Sequence, residues 1–218
     1  MYSVIDIGSN TIRLVVYRVD SEGITAILNN KYTAGLAAYI GKDGALSDEG
    51  IERLVDVMGK FRDAVELLPG CEVFPFATAS LRNVTNREEI LRRVKEATGF
   101  DIRVLSGYEE AMLDYHGAVR SMPGEEGLLV DVGGGSTELV FFKGGRAAAT
   151  VETTLVHFSP IVEDDLRAYV RTPEPYDKAG AYAIQGHAAL WCAGIEGCYY
   201  NIMGLPVHRA AQLLREFA

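Results

Sequence analysis

The run Asp131-Val-Gly-Gly-Gly-Ser-Thr-Glu138 constrains this chain more than any other part of its sequence. Apolar segments lie directly before and after the run, at Leu128–Val130 and Leu139–Phe142, so it predicts a strand, a tight turn and a second strand. Three successive glycines can adopt positive φ and can bring several backbone N–H groups to face one anion. Because Ser136 and Thr137 add hydroxyl donors, the turn is predicted to bind phosphate.

The acid at the start of this run, Asp131, needs a mediator if the turn binds phosphate. A carboxylate repels a neighbouring phosphate group, so a divalent cation or an activated water must lie between them. We expect Mg²⁺, or another divalent cation, because such ions bind carboxylate and phosphate oxygens together.

A second copy of the pattern occurs at the start of the chain, as Asp6-Ile-Gly-Ser-Asn-Thr11 followed by Leu14–Val16. One such turn would be weak evidence, but two copies predict paired hairpins that face each other across a phosphate chain. Tight-turn chemistry alone is the alternative explanation. The predicted phosphate ligands are Gly8, Ser9, Asn10, Thr11, Gly133, Gly134, Gly135 and Ser136, and the predicted cation ligands are Asp6 and Asp131.

The composition bounds the partners and the location of the protein. Its formal charge of −9 and pI near 5.0 argue against a nucleic-acid partner, which needs clustered Lys and Arg. The three cysteines lack CxxC spacing, which favours free thiols in a reducing compartment over disulfides or a zinc site. No basic leader precedes the first strand, and no apolar run approaches the length of a membrane span. We therefore expect a cytoplasmic protein without a membrane partner.

The periodicity of the hydrophobic residues predicts an α/β unit followed by an α+β module. Alternating residues predict an antiparallel meander over 2–32, and helical spacing follows Ser47. Further strands are predicted at 73–76 and 102–105, and further helices at 86–98 and from 106 onward. The module is predicted to contain a strand at 151–158, a helix at 163–171, a hairpin formed by 190–195 and 199–203, and a final helix from Pro206.

Four motifs occur in one order along the first two thirds of the chain: Asp6-Ile-Gly-Ser-Asn-Thr11, Ala77-Thr-Ala-Ser-Leu-Arg82, Ser106-Gly-Tyr-Glu-Glu-Ala111 and Asp131-Val-Gly-Gly-Gly-Ser-Thr-Glu138. In these motifs the chain resembles the exopolyphosphatase/guanosine-pentaphosphate phosphatase (Ppx/GppA) family over residues 1–145. The resemblance implies an α/β fold with a mixed sheet, the ribonuclease-H-like fold of the actin-like ATPase superfamily, in which two domains close on phosphates.

Two residues of these motifs have an expected role in catalysis or binding. The resemblance implies that Glu110 is the general base that orients and deprotonates the attacking water. Capping of a helix N-terminus is the alternative for Glu110, and it is the explanation that we adopt for Glu109. Arg82, which is expected at a strand exit, could bridge phosphate oxygens with its fork of donors, whereas a surface ion pair is the alternative.

The remainder of the chain carries a different set of motifs, including Val151-Glu-Thr-Thr-Leu-Val-His-Phe158, Glu174-Pro-Tyr-Asp-Lys-Ala-Gly-Ala-Tyr-Ala-Ile-Gln-Gly186 and Gly204-Leu-Pro206. Here the chain is similar to the C-terminal third of Maf-type nucleotide pyrophosphatases. The resemblance implies possible nucleotide contacts by Asp177, Lys178 and Gln185, with remnants of an incomplete site as the alternative. The chain is thus expected to combine a phosphatase domain with the first hairpin of its partner domain, at 1–145, and a Maf-like segment at 146–218.

These patterns lead to three functional hypotheses. The first is a phosphoanhydride hydrolase that releases the terminal phosphate of polyphosphate or guanosine pentaphosphate. The second is Maf-type pyrophosphatase action on a nucleoside triphosphate, and the third is a phosphate- or nucleotide-binding module without turnover. A homodimer is one arrangement that would complete a half-site.

Overall fold

We analysed a computed structural model of the chain, which describes residues 1–122, 124–133, 136–178 and 180–217. The chain divides into two compact units, Met1–Ser106 and Gly107–Ala218. The predicted domain boundary at residue 145, where the motifs of the first resemblance end and those of the second begin, stays a prediction. In the described ranges no helix combines the length and the apolar character that crossing a membrane requires.

A mixed sheet of five strands forms the centre of the first unit. Its strands are β1 Tyr2–Ile7, β2 Thr11–Asp20, β3 Gly23–Thr33, β4 Glu72–Ala77 and β5 Arg103–Val104. Strands β1 to β3 form the predicted antiparallel meander, and β4 pairs with β1 in parallel. The resulting order is β3-β2-β1-β4-β5, which confirms the predicted mixed sheet.

Helices α1 Asp48–Glu66, α2 Ala79–Arg82 and α3 Arg87–Thr98 belong to the same unit. The first helix begins as its sequence predicts, because the Ser47 side chain accepts a hydrogen bond of 3.3 Å from the Gly50 backbone N–H. Its apolar residues recur at helical spacing, and the buried Leu54 and Phe61 join Ile5 and Leu14 of the sheet in one core.

The second unit contains α4 Gly107–Ser121 and an antiparallel sheet of three strands, β6 Glu126–Val132, β7 Thr137–Lys143 and β8 Arg146–Glu152. The two faces of this sheet are covered by different helices. Tyr115 of α4 packs against Phe142, with 5.2 Å between ring centroids. On the alternate positions of β7, Leu139 and Phe141 pack against the final helix, α7 Val207–Arg215. Helix α7, which belongs to the Maf-like segment, therefore covers one face of the sheet that contains the phosphatase-like strands β6 and β7.

Between β8 and α7 the chain forms β9 Leu155–Phe158, α5 Glu163–Tyr169, β10 Cys192–Glu196 and α6 Tyr199–Met203. The strand predicted at 151–158 is thus divided into the end of β8 and all of β9. The hairpin predicted from 190–195 and 199–203 is wrong, since β10 pairs with β9 and residues 199–203 are helical. Because β10 pairs with β9, residues 199–203 do not pair with β10 and form a short helix instead.

Candidate functional site

The two Asp-Gly turns share an equivalent backbone hydrogen bond. The Gly8 N–H donates to the Thr11 carbonyl oxygen at 3.0 Å, and the Gly133 N–H donates to the Ser136 carbonyl oxygen at 2.9 Å. The strand registers also correspond, because Asp6 lies opposite Arg13 and Asp131 lies opposite Glu138. The alignment of the two sequence copies is therefore also an alignment of two structural turns.

Close approach explains the glycine in each turn. A Cβ atom at Gly8 would lie 3.0 Å from the Thr11 carbonyl oxygen, and one at Gly133 would lie 3.2 Å from the Ser136 carbonyl oxygen. Neither glycine has a positive φ, so the positive φ expected of the glycine run does not apply to Gly133. The predicted ligands Gly134 and Gly135 lie outside the described residues.

The first turn is held by hydrogen bonds to its carbonyl oxygens. The Asn10 carbonyl oxygen accepts from the N–H groups of Ala34 and Gly35, at 2.9 and 2.8 Å. The Ser9 carbonyl oxygen accepts from the Ala37 N–H at 3.0 Å. The buried hydroxyl of Ser80 donates to the carbonyl oxygen of Ile7, just before the turn. These bonds fix the backbone in one conformation, as a preorganised anion site requires.

Four acidic side chains interact around the second turn. Glu110 and Asp114 lie one helical turn apart on α4, and Asp131 and Glu138 lie opposite each other on β6 and β7. Burial, the negative charges of Asp131, Glu110 and Glu138, and a hydrogen bond with Asp131 together raise the pKa of Asp114 to about 7. The Asp114 Oδ2 atom is buried and has no hydrogen-bond partner among the residues that the structure describes.

The Ser136 hydroxyl is already engaged within this group. It donates to Glu138 Oε1 at 2.7 Å, and the two side chains are 5% and 2% exposed. In this arrangement the hydroxyl hydrogen serves to hold a buried carboxylate. A phosphate at the turn would therefore depend on backbone N–H groups more than on this hydroxyl.

Arg82 lies in the first unit, at the end of the short helix α2, so the expected position at a strand exit is wrong. Its half-buried side chain donates from Nη1 to the Leu105 carbonyl oxygen at 3.1 Å. That bond ties α2 to the segment after β5, a structural role that does not need an anion.

The sequence motifs predict no function for Asp114 or Glu138, although both belong to the acidic group. The signal for Asp114 was its i, i+4 spacing from Glu110, which places the two side chains on one face of a helix. The signal for Glu138 was its position after the turn, where the first copy of the pattern has Arg13 instead.

The donor set around the second turn suits a hard cation. All four side chains offer oxygen ligands, which Mg²⁺ prefers, and the partnerless Asp114 Oδ2 is an acceptor that a cation would satisfy. Within the described ranges, no group of three or more His, Cys, Asp or Glu side chains converges closely enough to hold a metal ion. A cation at this turn would therefore need ligands from phosphate or water.

A cavity of about 350 Å³ lies beside the second turn. Gly133, Ser136 and Thr137 contribute to its lining, as do Asp177, Lys178 and Asn201 of the Maf-like segment. The Lys178 ammonium is 2.6 Å from Asp177 Oδ1, and its hydrogen bond and charge lower the pKa of Asp177. The exposed Gln185 does not line this cavity. Two of the three predicted nucleotide contacts thus lie at the cavity that also borders the glycine turn.

Solved structures of similar sequence share this fold. The type II variant of the Ppx/GppA phosphatase of Aquifex aeolicus is 29% identical, with a TM-score of 0.62 over 69% of this chain and 51% of that chain. An exopolyphosphatase from Cytophaga hutchinsonii is 26% identical, with a TM-score of 0.65 over 78% of this chain and 58% of that chain. They confirm the predicted α/β, ribonuclease-H-like fold. The chain spans about half the length of these relatives.

Family models match both parts of the chain. Residues 135–217 match the model described as Maf-like protein, which confirms the second predicted resemblance. Residues 15–154 match the model of the Ppx/GppA phosphatase family. The chain therefore belongs to the Ppx/GppA phosphatase family.

Proposed function

We propose that the protein hydrolyses phosphoanhydride bonds and releases the terminal phosphate of polyphosphate or guanosine pentaphosphate. The observation that carries this proposal is the interaction of Glu110 with the acidic group around the Asp131 turn, inside one compact unit. A general base and a phosphate-binding turn must be neighbours for water to attack a bound phosphate.

In the proposed reaction, Glu110 accepts a proton from a water molecule while the water oxygen attacks the terminal phosphorus. The new P–O bond forms as the bond to the bridging oxygen breaks, so the products are orthophosphate and a substrate shortened by one phosphate. Backbone donors of the Asp131 turn hold the phosphate oxygens, and the Asp6 turn is proposed as a second set of such donors. Asp131 would hold Mg²⁺ at its turn, and Asp6 is proposed as a cation ligand at its own; the cation would supply positive charge against the phosphate oxygens.

A cytoplasmic location and the absence of nucleic-acid and membrane partners remain part of this proposal. The charge of −9 argues only against the nucleic-acid partner. A homodimer is likewise proposed as one way to complete the site. The chain spans about half the length of its relatives, so a second copy could supply missing contacts.

Pyrophosphatase action of the Maf type is the second candidate. The observation in its favour is the cavity beside the turn, which Asp177 and Lys178 line. In that case a nucleoside triphosphate would yield a nucleoside monophosphate and pyrophosphate. A binding module without turnover is the third candidate.

One assay separates these candidates. Polyphosphate, guanosine pentaphosphate and nucleoside triphosphates are incubated with Mg²⁺, and the products are resolved by chromatography. We expect orthophosphate, and we expect Glu110→Gln to reduce its release by about two to four powers of ten. The matched control, Glu109→Gln, removes the neighbouring acid of the same helical turn and should retain the activity. Pyrophosphate with nucleoside monophosphate would favour the Maf-type reaction instead, and binding without products would favour the module.

A further inference from the structure

Strand β6 lies at an open edge of the sheet in the second unit. Among the strands that the structure describes, the order is β6-β7-β8, so β6 pairs with β7 alone. At the two ends of β6, the Gly133 N–H donates to Ser136 and the Glu125 carbonyl oxygen accepts from the Gly144 N–H. Odd-numbered residues therefore direct their backbone groups toward β7. Because alternate residues of a strand direct these groups to opposite sides, the backbone groups of residues 126, 128, 130 and 132 face the open edge.

The same stretch of β6 carries exposed apolar side chains. Leu128 lies opposite Phe141, and the next outward residue, Val130, lies opposite Leu139. All four side chains therefore share one face of the sheet, on which Leu139 and Phe141 pack against α7. Leu128 and Val130 nevertheless remain 37% exposed. Since α7 packs over β7 and β8, the apolar surface continues past the helix toward the open edge.

Strand β6 lacks the features that usually protect an open edge, such as Lys, Pro or a bulge. Its centre reads Gly-Leu-Leu-Val, and its pairing with β7 has no register shift. The edge strand β3 of the first unit instead contains Asn29, Asn30 and Lys31 and has a shift in its register with β2. At the other edge of the second unit, the β8 residues after Arg146 are half-buried. The β6 edge is therefore the one best suited to pair with a further strand.

We propose that β6 pairs in antiparallel orientation with β6 of a second copy of this chain, which joins the two three-stranded sheets into one sheet of six strands. With Leu129 opposite Leu129 of the second copy, Leu128 lies opposite Val130, and all residues of Glu126–Val132 are paired. The outward-facing backbone groups of the even-numbered residues then bond to each other, and the apolar surface continues from one copy into the next. This interface does not depend on the proposed hydrolase activity.

Charge and strand length select this register over its neighbours. It places the carboxylate of Asp131 opposite Gly127 of the second copy. A shift of the second strand by two residues in one direction would place Asp131 opposite Glu125, and like charges directly opposite each other destabilise a strand pair. A shift in the other direction would leave Glu126 and Gly127 without partners in the second β6. An identical strand is therefore a complementary partner for the β6 edge.

Sedimentation velocity of the full chain, over a concentration series up to about 100 µM, tests the pairing. We expect a dimer whose dissociation constant rises about ten-fold or more in Val130→Lys, because each dimer then carries two ammonium groups at its shared strand pair. Ile24→Lys is the matched control. Ile24 is 51% exposed on the edge strand β3, so its substitution should leave the dissociation constant unchanged. Circular dichroism establishes that each variant is folded.

Disulfide cross-linking tests the register without adding charge. Leu129→Cys places two thiols directly opposite each other, whereas the thiols of Leu128→Cys lie diagonally, about 7–8 Å apart, which is too far for a disulfide. We expect oxidised glutathione to link the Leu129→Cys chains into dimers. The Leu128→Cys chains should link no more than the unmodified protein, whose free cysteines set the background.

Three results in sedimentation would overturn the inference: a monomer at every concentration, a dimer that Val130→Lys leaves intact, or a dimer that Ile24→Lys dissociates. In the cross-linking experiment, links through position 128 in place of position 129 would overturn it as well.

Discussion

At the scale of single residues, Asp114 has a carboxyl group whose surroundings favour its neutral form. Burial and three negative neighbours hold its pKa at about 7, against 3.8 in an unstructured chain. The unfolded protein therefore loses this proton at lower pH than the folded protein does. The contribution of Asp114 to stability is most favourable below about pH 4 and is lost as the pH rises through about 7.

We predict that Asp114→Asn raises the free energy of unfolding at neutral and higher pH. The amide keeps the shape of the side chain and cannot ionise, so the gain should be near zero at about pH 4 and about 1–3 kcal/mol above pH 7. Urea unfolding at several pH values, in the presence of a chelator, measures this difference. A gain that does not change with pH would contradict the prediction, and Glu109→Asn provides a control on the same helix.

The roles of single acids could be predicted only in part from the sequence. The motif that contains Glu110 predicts a role for it, whereas the interaction of Asp114 with Glu138 is seen only where α4, β6 and β7 come together. Their interaction depends on the packing of a helix against two strands. A local sequence pattern does not encode how close side chains of different elements come to each other.

At the scale of elements, the two Asp-Gly turns are the best-predicted part of the candidate site. Their repetition in sequence corresponds to matching hydrogen bonds and strand registers. A turn is a local structure, so its sequence determines most of its geometry. The predicted hairpin of residues 190–203 was wrong because strand pairing is not local, and β9 was the partner of β10.

We predict that Gly8→Ala and Gly133→Ala each weaken phosphate release by about ten-fold or more, with similar effects on the two turns. The new methyl group would approach a backbone carbonyl oxygen to 3.0 or 3.2 Å, which forces the turn to shift, and small displacements of a site are costly to catalysis. Orthophosphate release by each variant tests this.

Gly59→Ala is the control, because a Cβ atom at this position meets nothing within 4 Å. The substitution should leave activity unchanged and should stabilise α1 by about 0.5–1 kcal/mol. Retained activity in either turn variant would contradict the prediction.

At the scale of the whole molecule, the change of family pattern does not coincide with a break in packing. Residues of the Maf-like segment in α7 pack against β7, which belongs to the phosphatase-like pattern. The second unit therefore has a core built from both segments. The first unit has its own large core, which contains residues from Ile5 to Ile102. A segment usually needs a hydrophobic core of its own to fold without the rest of the chain.

We predict that residues 1–106 fold alone and unfold cooperatively in urea. Phe61 is fully buried in the core of this unit, so Phe61→Ala should lower the free energy of unfolding of this fragment by about 3–5 kcal/mol. Leu67→Ala is the control in the same region, because Leu67 is 80% exposed and its truncation should change the stability by less than about 0.5 kcal/mol. Circular dichroism during urea titration measures both variants. A fragment that lacks a cooperative transition would show that the first core needs the rest of the chain.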